Sequence, residues 1–414
     1  MPRLTRDRTT WLTYAQLGLW GFFLYGFGPV VPLLRDEQGT SAAVAGLHST
    51  GIAVGALAGG ALFAPLARRV GRGRAIWTGL AGVALGVTAL GTLRALPATI
   101  TAVAVIATFG MLVISGVSVV LTDRHGTGAP AALTEANAAC AGMGILAPLV
   151  IGVSVDAGWG WRPVMAVEAG LIALVALAAV TFRVRLPDAA PAAAAGDPPA
   201  DTDPPAGARR AAPVAGAARR LPPTYWIAWV LMAVTGSIEV CLSLWTADVL
   251  RSHAGMAAGA ASAAVAAIVC GMFVGRLVGG RFALRYRPVP LLLAALGVSL
   301  AGFALFWVAP VGWLAVAGLV VLGVGNALHY PLAISIALAV AGPAADRAAG
   351  WASYSMGVGF GIAPVALGWV ADGVGPHLAF LLLPGFIAAA ALLAARLGRA
   401  LRPAPAEIRT PTPV

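Results

Sequence analysis

Glu239 stands near the middle of an apolar run, residues 224–249, in the context Gly236-Ser237-Ile238-Glu239-Val240-Cys241. An ionisable group at the centre of a bilayer costs roughly 2.5–3.5 kcal/mol on insertion scales, so a carboxyl kept there needs a role or a partner. Three chemistries suit it: carrying a proton, opposing the charge of a cationic solute, or a structural hydrogen bond between helices. A second constellation is Asn326, His329 and Tyr330. At spacings i, i+3 and i+4 these three are expected to share one helix face. There His329 offers a second proton-exchanging group, and the amide and phenol offer hydrogen bonds to a polar solute. A satisfied packing cluster accounts for the same pattern.

Tyr25 lies among Gly21, Gly26, Gly28 and Pro29, where a helix can bend and open a binding face. Trp245 and Tyr354 are further candidates for the wall of such a cavity, and His48 is a candidate gate or interfacial group. For each aromatic, plain packing is the alternative. Glu135 and Asn137 open another apolar run, where a carboxylate favours the helix N-terminus and a loop arginine. Glu168, about one turn into its run, is expected to reach outward.

Long apolar elements must hold these residues. The chain has 414 residues, 59% hydrophobic and only 10% charged, with a mean hydropathy of +0.87. Soluble domains carry roughly 25% charged residues, so this chain cannot cover a water-facing surface and lipid must be its solvent. A spanning helix takes about 20 apolar residues. Such runs fall at 11–34, 42–66, 75–93, 98–121, 131–155, 163–182, 224–249, 256–280, 289–308, 312–340, 348–371 and 377–396. The expected fold is an all-α membrane protein with twelve transmembrane helices. Residues 183–222, rich in Pro, Ala, Gly, Asp and Arg, read as a disordered cytoplasmic linker. The linker separates a six-helix bundle at 1–182 from a second at 223–414, which ends in a cytoplasmic tail.

The net charge of +11 comes from 27 arginines and no lysine. They recur in short loops instead of forming a patch with interleaved aromatics, which speaks against nucleic acid as a partner. With the N-terminus inside, every arginine except Arg35, Arg94, Arg162 and Arg251 is expected in a cytoplasmic segment, Arg276 included. By this positive-inside bias both termini are expected in the cytoplasm, and the chain is expected to be a multi-pass protein of a bacterial cytoplasmic membrane. Arg3, Arg6 and Arg8 lead straight into a long apolar run without a short h-region or cleavage site, so the first run is expected to stay as a helix. Cys140, Cys241 and Cys270 fit neither metal nor disulfide spacing and read as buried thiols. No cofactor or metal is expected.

The two halves match at an offset of 216 residues. Gly55 and Gly59 correspond to Gly271 and Gly275, and Ala67 and Arg69 to Ala283 and Arg285. Ala147-Pro148, Gly152 and Asp156 correspond to Ala363-Pro364, Gly368 and Asp372. A single register held in separate helix pairs points to duplication. Gly51, Gly55 and Gly59 recur every fourth residue, as do Gly271, Gly275 and Gly279, and such rows let helix backbones approach closely. Static packing is the simpler use of these rows; sliding between the halves is the other.

The segment Ala64-Pro65-Leu66-Ala67-Arg68-Arg69-Val70-Gly71-Arg72-Gly73-Arg74 resembles the loop signature of the major facilitator superfamily, Gly-x-Leu-Ala-Asp-Arg-x-Gly-Arg-Arg, between helices two and three. Leu66, Ala67, Arg69, Gly71 and Arg72 fit; Ala64 replaces the first Gly and Arg68 the usual Asp. The resemblance extends through Gly142-Met143-Gly144 to Pro148 in helix five, the turn Gly160-Trp161-Arg162, and Gly323-Val324-Gly325-Asn326 with Tyr330-Pro331 in helix ten. It implies two six-helix bundles, a solute site at their interface, with helix seven on the cavity wall, and a cytoplasmic gate loop of Arg68, Arg69, Gly71 and Arg72. Ile106 stands where many drug/proton antiporters of the family carry Arg.

The expected function is secondary active transport of a small neutral or cationic solute by alternating access, coupled to protons. No arginine is expected near the middle of a helix, which argues against firmly anionic solutes. Partners are then a small-molecule solute, protons and the lipid bilayer, with the chain acting as a monomer. Efflux of amphipathic compounds or drugs is an alternative, and a non-transporting sensor or scaffold on the same fold is another. No phosphate-cradling motif, metal-ligand pair or nucleophile elbow supports an ATP-driven pump or an enzyme.

Overall fold

A computed structural model describes residues 6–186, 221–283, 285–342 and 345–401. Among the described residues, 12 helices are long and apolar enough to cross a membrane. The first six are α1 (Arg8–Gln38), α2 (Ala42–Val70), α3 (Arg72–Thr92), α4 (Leu96–His125), α5 (Ala129–Asp156) and α6 (Arg162–Thr181). The second six are α7 (Pro223–Ser252), α8 (Ala258–Gly279), α9 (Pro288–Val308), α10 (Gly312–Ala341), α11 (Ala345–Val374) and α12 (Pro376–Ala400). Each expected apolar run coincides with one helix. Residues 187–220 of the expected linker, with Arg3, Arg402 and Arg409, lie outside the described residues.

Polar caps and turns bound the apolar runs. Asp7 accepts a hydrogen bond from the Thr10 N–H at 2.9 Å to open α1, and Ser41 accepts one from Val44 at 3.3 Å to open α2. Gly39 closes α1 with φ 60, a left-handed conformation open to glycine at little steric cost. Three of the spans are interrupted; that of α12 is helical over Pro376–Ala379 and again over Leu382–Ala400. The α8 span is helical over Ala258–Ala264 and again from Ala266. The α10 span is helical over Gly312–Asn326 and again over His329–Ala341, with a turn at Ala327-Leu328. That turn separates Asn326 from His329 and Tyr330, so the single helix face expected for the three does not form.

The duplication is visible in the packing. A Cβ at Gly55 would strike the carbonyl oxygen of Ala104, and one at Gly271 would strike that of Val320; the same holds for Gly59 with Thr108 and Gly275 with Val324. Both members of each pair shift by the same 216 residues. The glycine rows therefore seat α2 against α4 and α8 against α10, inside each half, where the missing side chains allow backbone-to-backbone contact.

Between the halves, α1 meets α7, α2 meets α11 and α5 meets α8. Their ion pairs gather at one end, called here the far end, opposite the near end that carries Arg8 and the α2–α3 turn. At the far end Arg35 grips Asp248 with two hydrogen bonds of 2.5 and 2.9 Å, and Arg251 reaches Asp36 at 2.7 Å. Among the described residues, the ion pairs at the near end stay within the first half: Arg6–Glu135, Arg72–Asp123 and Arg124–Asp7. The molecule is thus fastened at its far end.

Candidate functional site

A cavity of about 620 Å³ lies between the halves, walled by Trp20 and Leu24 of α1, Ile52 of α2, Tyr330 of α10, and Tyr354 and Phe360 of α11. The wall is mostly apolar, with two phenol hydroxyls and one indole nitrogen as its polar atoms among these six. Tyr330 links it to the charged group, because it lies within electrostatic reach of Glu239.

Close helix approach sets Glu239 in place. One turn toward the far end, a Cβ at Gly28 of α1 would run into the backbone of Ser243 in α7. This bare contact brings Tyr25 and Glu239, each a turn away, to the same level of the interface. On the other side Gly236 packs against Met356 Sδ of α11, 2.9 Å from where its Cβ would stand. Glu239 itself is half-buried. Gly144 of α5 lies directly beneath the Tyr25 ring, where any side chain would collide with it, which gives this glycine of the helix-five motif a direct purpose.

Arg276 completes the cluster. Its side chain interacts with Tyr25, and its charge reaches Glu239 and Cys140. Four helices therefore converge: α1 with Tyr25, α5 with Cys140, α7 with Glu239 and α8 with Arg276. Arg276 was expected in a cytoplasmic segment; it lies within the α8 span and turns toward the interface. The reason is geometric, because the helix runs on past Gly279 and the row Gly271, Gly275, Gly279 packs against α10, which leaves the next position free to face the other half. The signal in the sequence was its place inside the expected apolar run at 256–280. At the 216-residue offset Arg276 corresponds to Gly60, which lines the cavity on α2, just as Tyr330 corresponds to Ile114 on the same wall.

The other expected site residues divide. Tyr25 and Tyr330 lie within reach of Glu239 at the interface, and Tyr330 shares the cavity wall with Tyr354. His329 is 1% exposed and bonds Ser299 of α9 at 3.1 Å, so it sits inside the second half. Asn326 is also buried, its amide 3.7 Å from Met272 Sδ. Trp245 is fully buried and does not line the cavity. His48 is locked inside the first half by Ala45 O and Thr99 Oγ1, both at 2.9 Å. Glu168, expected to reach outward, is fully buried in α6. In the gate loop Arg68 and Arg69 are exposed, Gly71 turns the chain with φ 89, and Arg72 pairs with Asp123 of α4, so the loop is tied within its own half. Pro148 and Pro364 lie inside α5 and α11, and the Pro364 carbonyl faces Gly46 of α2 across the interface.

The sequence profile of the Major Facilitator Superfamily matches residues 17–345 and 249–413. The chain belongs to the major facilitator superfamily. This makes it a multi-pass membrane transporter and not an enzyme. Its fold is similar to that of a bacterial homologue of the human lysosomal transporter Spinster in an inward-facing, unoccupied conformation, at 16% identity and TM-score 0.73, covering 97% of this chain and 99% of that one. It is similar also to a mutant of the nucleoside transporter NupG, at 14% identity and TM-score 0.74 over 95% and 99% of the two chains. A D-xylose-proton symporter matches at 14% identity and TM-score 0.68 over 94% and 96%. A search of curated proteins finds no match by sequence.

Proposed function

We propose that this superfamily member moves a small solute across a bacterial cytoplasmic membrane by alternating access, coupled to protons at Glu239. The observation that carries the reading is the position of Glu239, a carboxyl at the interface of the halves within electrostatic reach of Arg276, Tyr25 and Tyr330. Gaining or losing a proton there changes its attraction to Arg276 in its own half and its effect on Tyr25 in the other. A single protonation thus bears on the contact that must rearrange when the halves rock. With the arginine-rich near end in the cytoplasm, the far-end pairs close the outer side and the cavity serves the inner one. The bundles at 1–182 and 223–414 act as the two rocking bodies, with Arg68, Arg69, Gly71 and Arg72 as the loop that engages when the inner side closes.

Arg276 removes the ground on which anionic groups were set aside, so a negative charge on the solute is again admissible. The mostly apolar wall of Trp20, Leu24, Ile52, Tyr354 and Phe360 favours a second reading, efflux of amphipathic compounds. The test is a solute screen in proteoliposomes with an imposed pH gradient, wild type against Glu239→Gln. Gradient-driven accumulation is expected for wild type and is lost in the variant. Full retention of accumulation by Glu239→Gln would refute proton coupling at this residue, and absence of flux for every solute would favour a sensor or scaffold.

A further inference from the structure

Glu239 and Arg276 form an incomplete pair. Each lies within reach of the other's charge, yet among the described residues the ion pairs involve neither. Among those residues the half-buried Glu239 carboxyl accepts no hydrogen bond, and Arg276 is exposed, with Tyr25 against its side chain and Cys140 within reach of its charge. A carboxylate half-buried without a hydrogen bond is costly unless something completes it, and the exposed Arg276 is open to a partner of its own. A bound solute with one charge would complete one group and leave the other unmatched. A solute with both would complete the two.

On the reading that this interface is the solute site, we infer that the solute is a zwitterion, a carboxylate and an ammonium on an apolar body, of the kind presented by an apolar α-amino acid. Its carboxylate meets the guanidinium of Arg276, whose planar fork suits two carboxylate oxygens, with the Tyr25 hydroxyl as a further donor. Its ammonium meets Glu239, with the Tyr330 hydroxyl as a second acceptor. The apolar body lies against Trp20, Leu24, Tyr354 and Phe360 in the adjoining cavity. The ammonium and the proton then compete for one carboxylate. Solute binding weakens as pH falls, and transport is an exchange of solute for proton. The groups facing Glu239 are Arg276, Tyr25 and Tyr330.

The test uses binding to the full chain in detergent, without a gradient, read by intrinsic tryptophan fluorescence from Trp20 or by calorimetry. The probes are two matched sets: L-leucine, 3-methylbutylamine and 4-methylpentanoate; and L-phenylalanine, 2-phenylethylamine and 3-phenylpropanoate. At least one amino acid is expected to bind about tenfold more tightly than both singly charged analogues, the worth of roughly one charged contact. Glu239→Gln is expected to abolish that advantage over the carboxylate, and Arg276→Gln the advantage over the amine. Retained binding of the singly charged analogue shows that each variant is folded. If Arg276→Gln does not fold, Arg276→Lys, which keeps the charge, is expected to keep the preference. The inference is overturned if neither amino acid binds, if an amine or acid binds as tightly as its amino acid, or if both variants leave the preference intact. Binding without gradient-driven uptake sinks the transport reading alone. Glu239-dependent uptake of some other solute, with no amino-acid binding, sinks this inference alone.

Discussion

Asp372, in the last turn of α11, accepts the backbone N–H groups of Ala42 at 2.6 Å and Ala43 at 3.0 Å, and so caps the first turn of α2 in the opposite half. Its counterpart at the 216-residue offset, Asp156 of α5, lies against Gly259 in the first turn of α8. Each half thus offers an acidic residue to a helix N-terminus of the other. A carboxylate suits that place because it meets unpaired N–H groups and the positive end of the helix dipole.

The cap is made across the interface, so on the proposed alternating-access cycle its removal is expected to shift the balance between closed and open far ends. Asp372→Ala is expected to weaken closure by about 1 kcal/mol, the usual worth of a helix cap, and Asp372→Asn by less, since its amide oxygen still accepts. Spin labels at Leu93→Cys and Val311→Cys, exposed far-end positions on the two halves, report the separation. A shift toward longer distances in the order wild type, Asn, Ala is expected; identical distributions in all three would dismiss the cap as a latch.

Arg35 and Arg251 both bridge the halves, but their partners differ in burial. Asp248 is 3% exposed, whereas Asp36 is open to solvent. Arg35→Ala strands a buried carboxylate and is expected to cost about 3 kcal/mol of stability. Arg251→Ala breaks an exposed pair and is expected to cost under about 1 kcal/mol. Thermal unfolding in detergent checks the ranking, and Arg35→Ala/Asp248→Ala is expected to recover part of the loss. Equal effects of the two single changes would mean that burial does not govern this end.

The twelve runs were legible because each is a long apolar stretch, and lipid rewards nothing else. The register of the halves was legible too, because Gly55 and Gly271 need the same close approach to a carbonyl. The fates of individual polar residues were not. Asn326 and His329 sit on a helix only up to a turn, and a turn inside an apolar stretch leaves no polarity signal. Arg276 fell inside the expected run at 256–280 but within about a turn of its end, where an arginine is ordinarily counted with the cytoplasmic loop. Glu239 was found because mid-span charge is costly wherever the helix faces.

Asp7 provides a check by pH. Burial raises its carboxyl, but hydrogen bonds from Arg124 and Thr10 outweigh this and hold it at about 2, below the usual carboxylate range. A carboxyl lowered by folding adds stability that is present above its unfolded value, near 3.9, and is lost as pH falls toward about 2. Asp7→Asn is therefore expected to be slightly less stable than wild type at pH 7, by under about 1 kcal/mol for so exposed a pair. The gap should close by about pH 2. Melting curves of both proteins between those limits measure it, and a gap that widens with acid would reverse the sign argued here.

Glu168 poses the opposite problem. It is fully buried in α6, and neither carboxyl oxygen has a hydrogen-bond partner among the described residues. An unsatisfied buried polar group costs about 1–3 kcal/mol, so the chain would be more stable with an apolar side chain of similar size. Glu168→Met is expected to raise the melting temperature in detergent, and Glu168→Gln, which keeps unpaired polar atoms, to change it little. If Glu168→Met retains solute-driven flux as well, the carboxyl serves no step of transport. A lowered melting temperature in Glu168→Met would mean instead that Glu168 has a partner it meets in another conformation of the transporter, and the loss of flux in Glu168→Gln would say that Glu168 itself exchanges a proton.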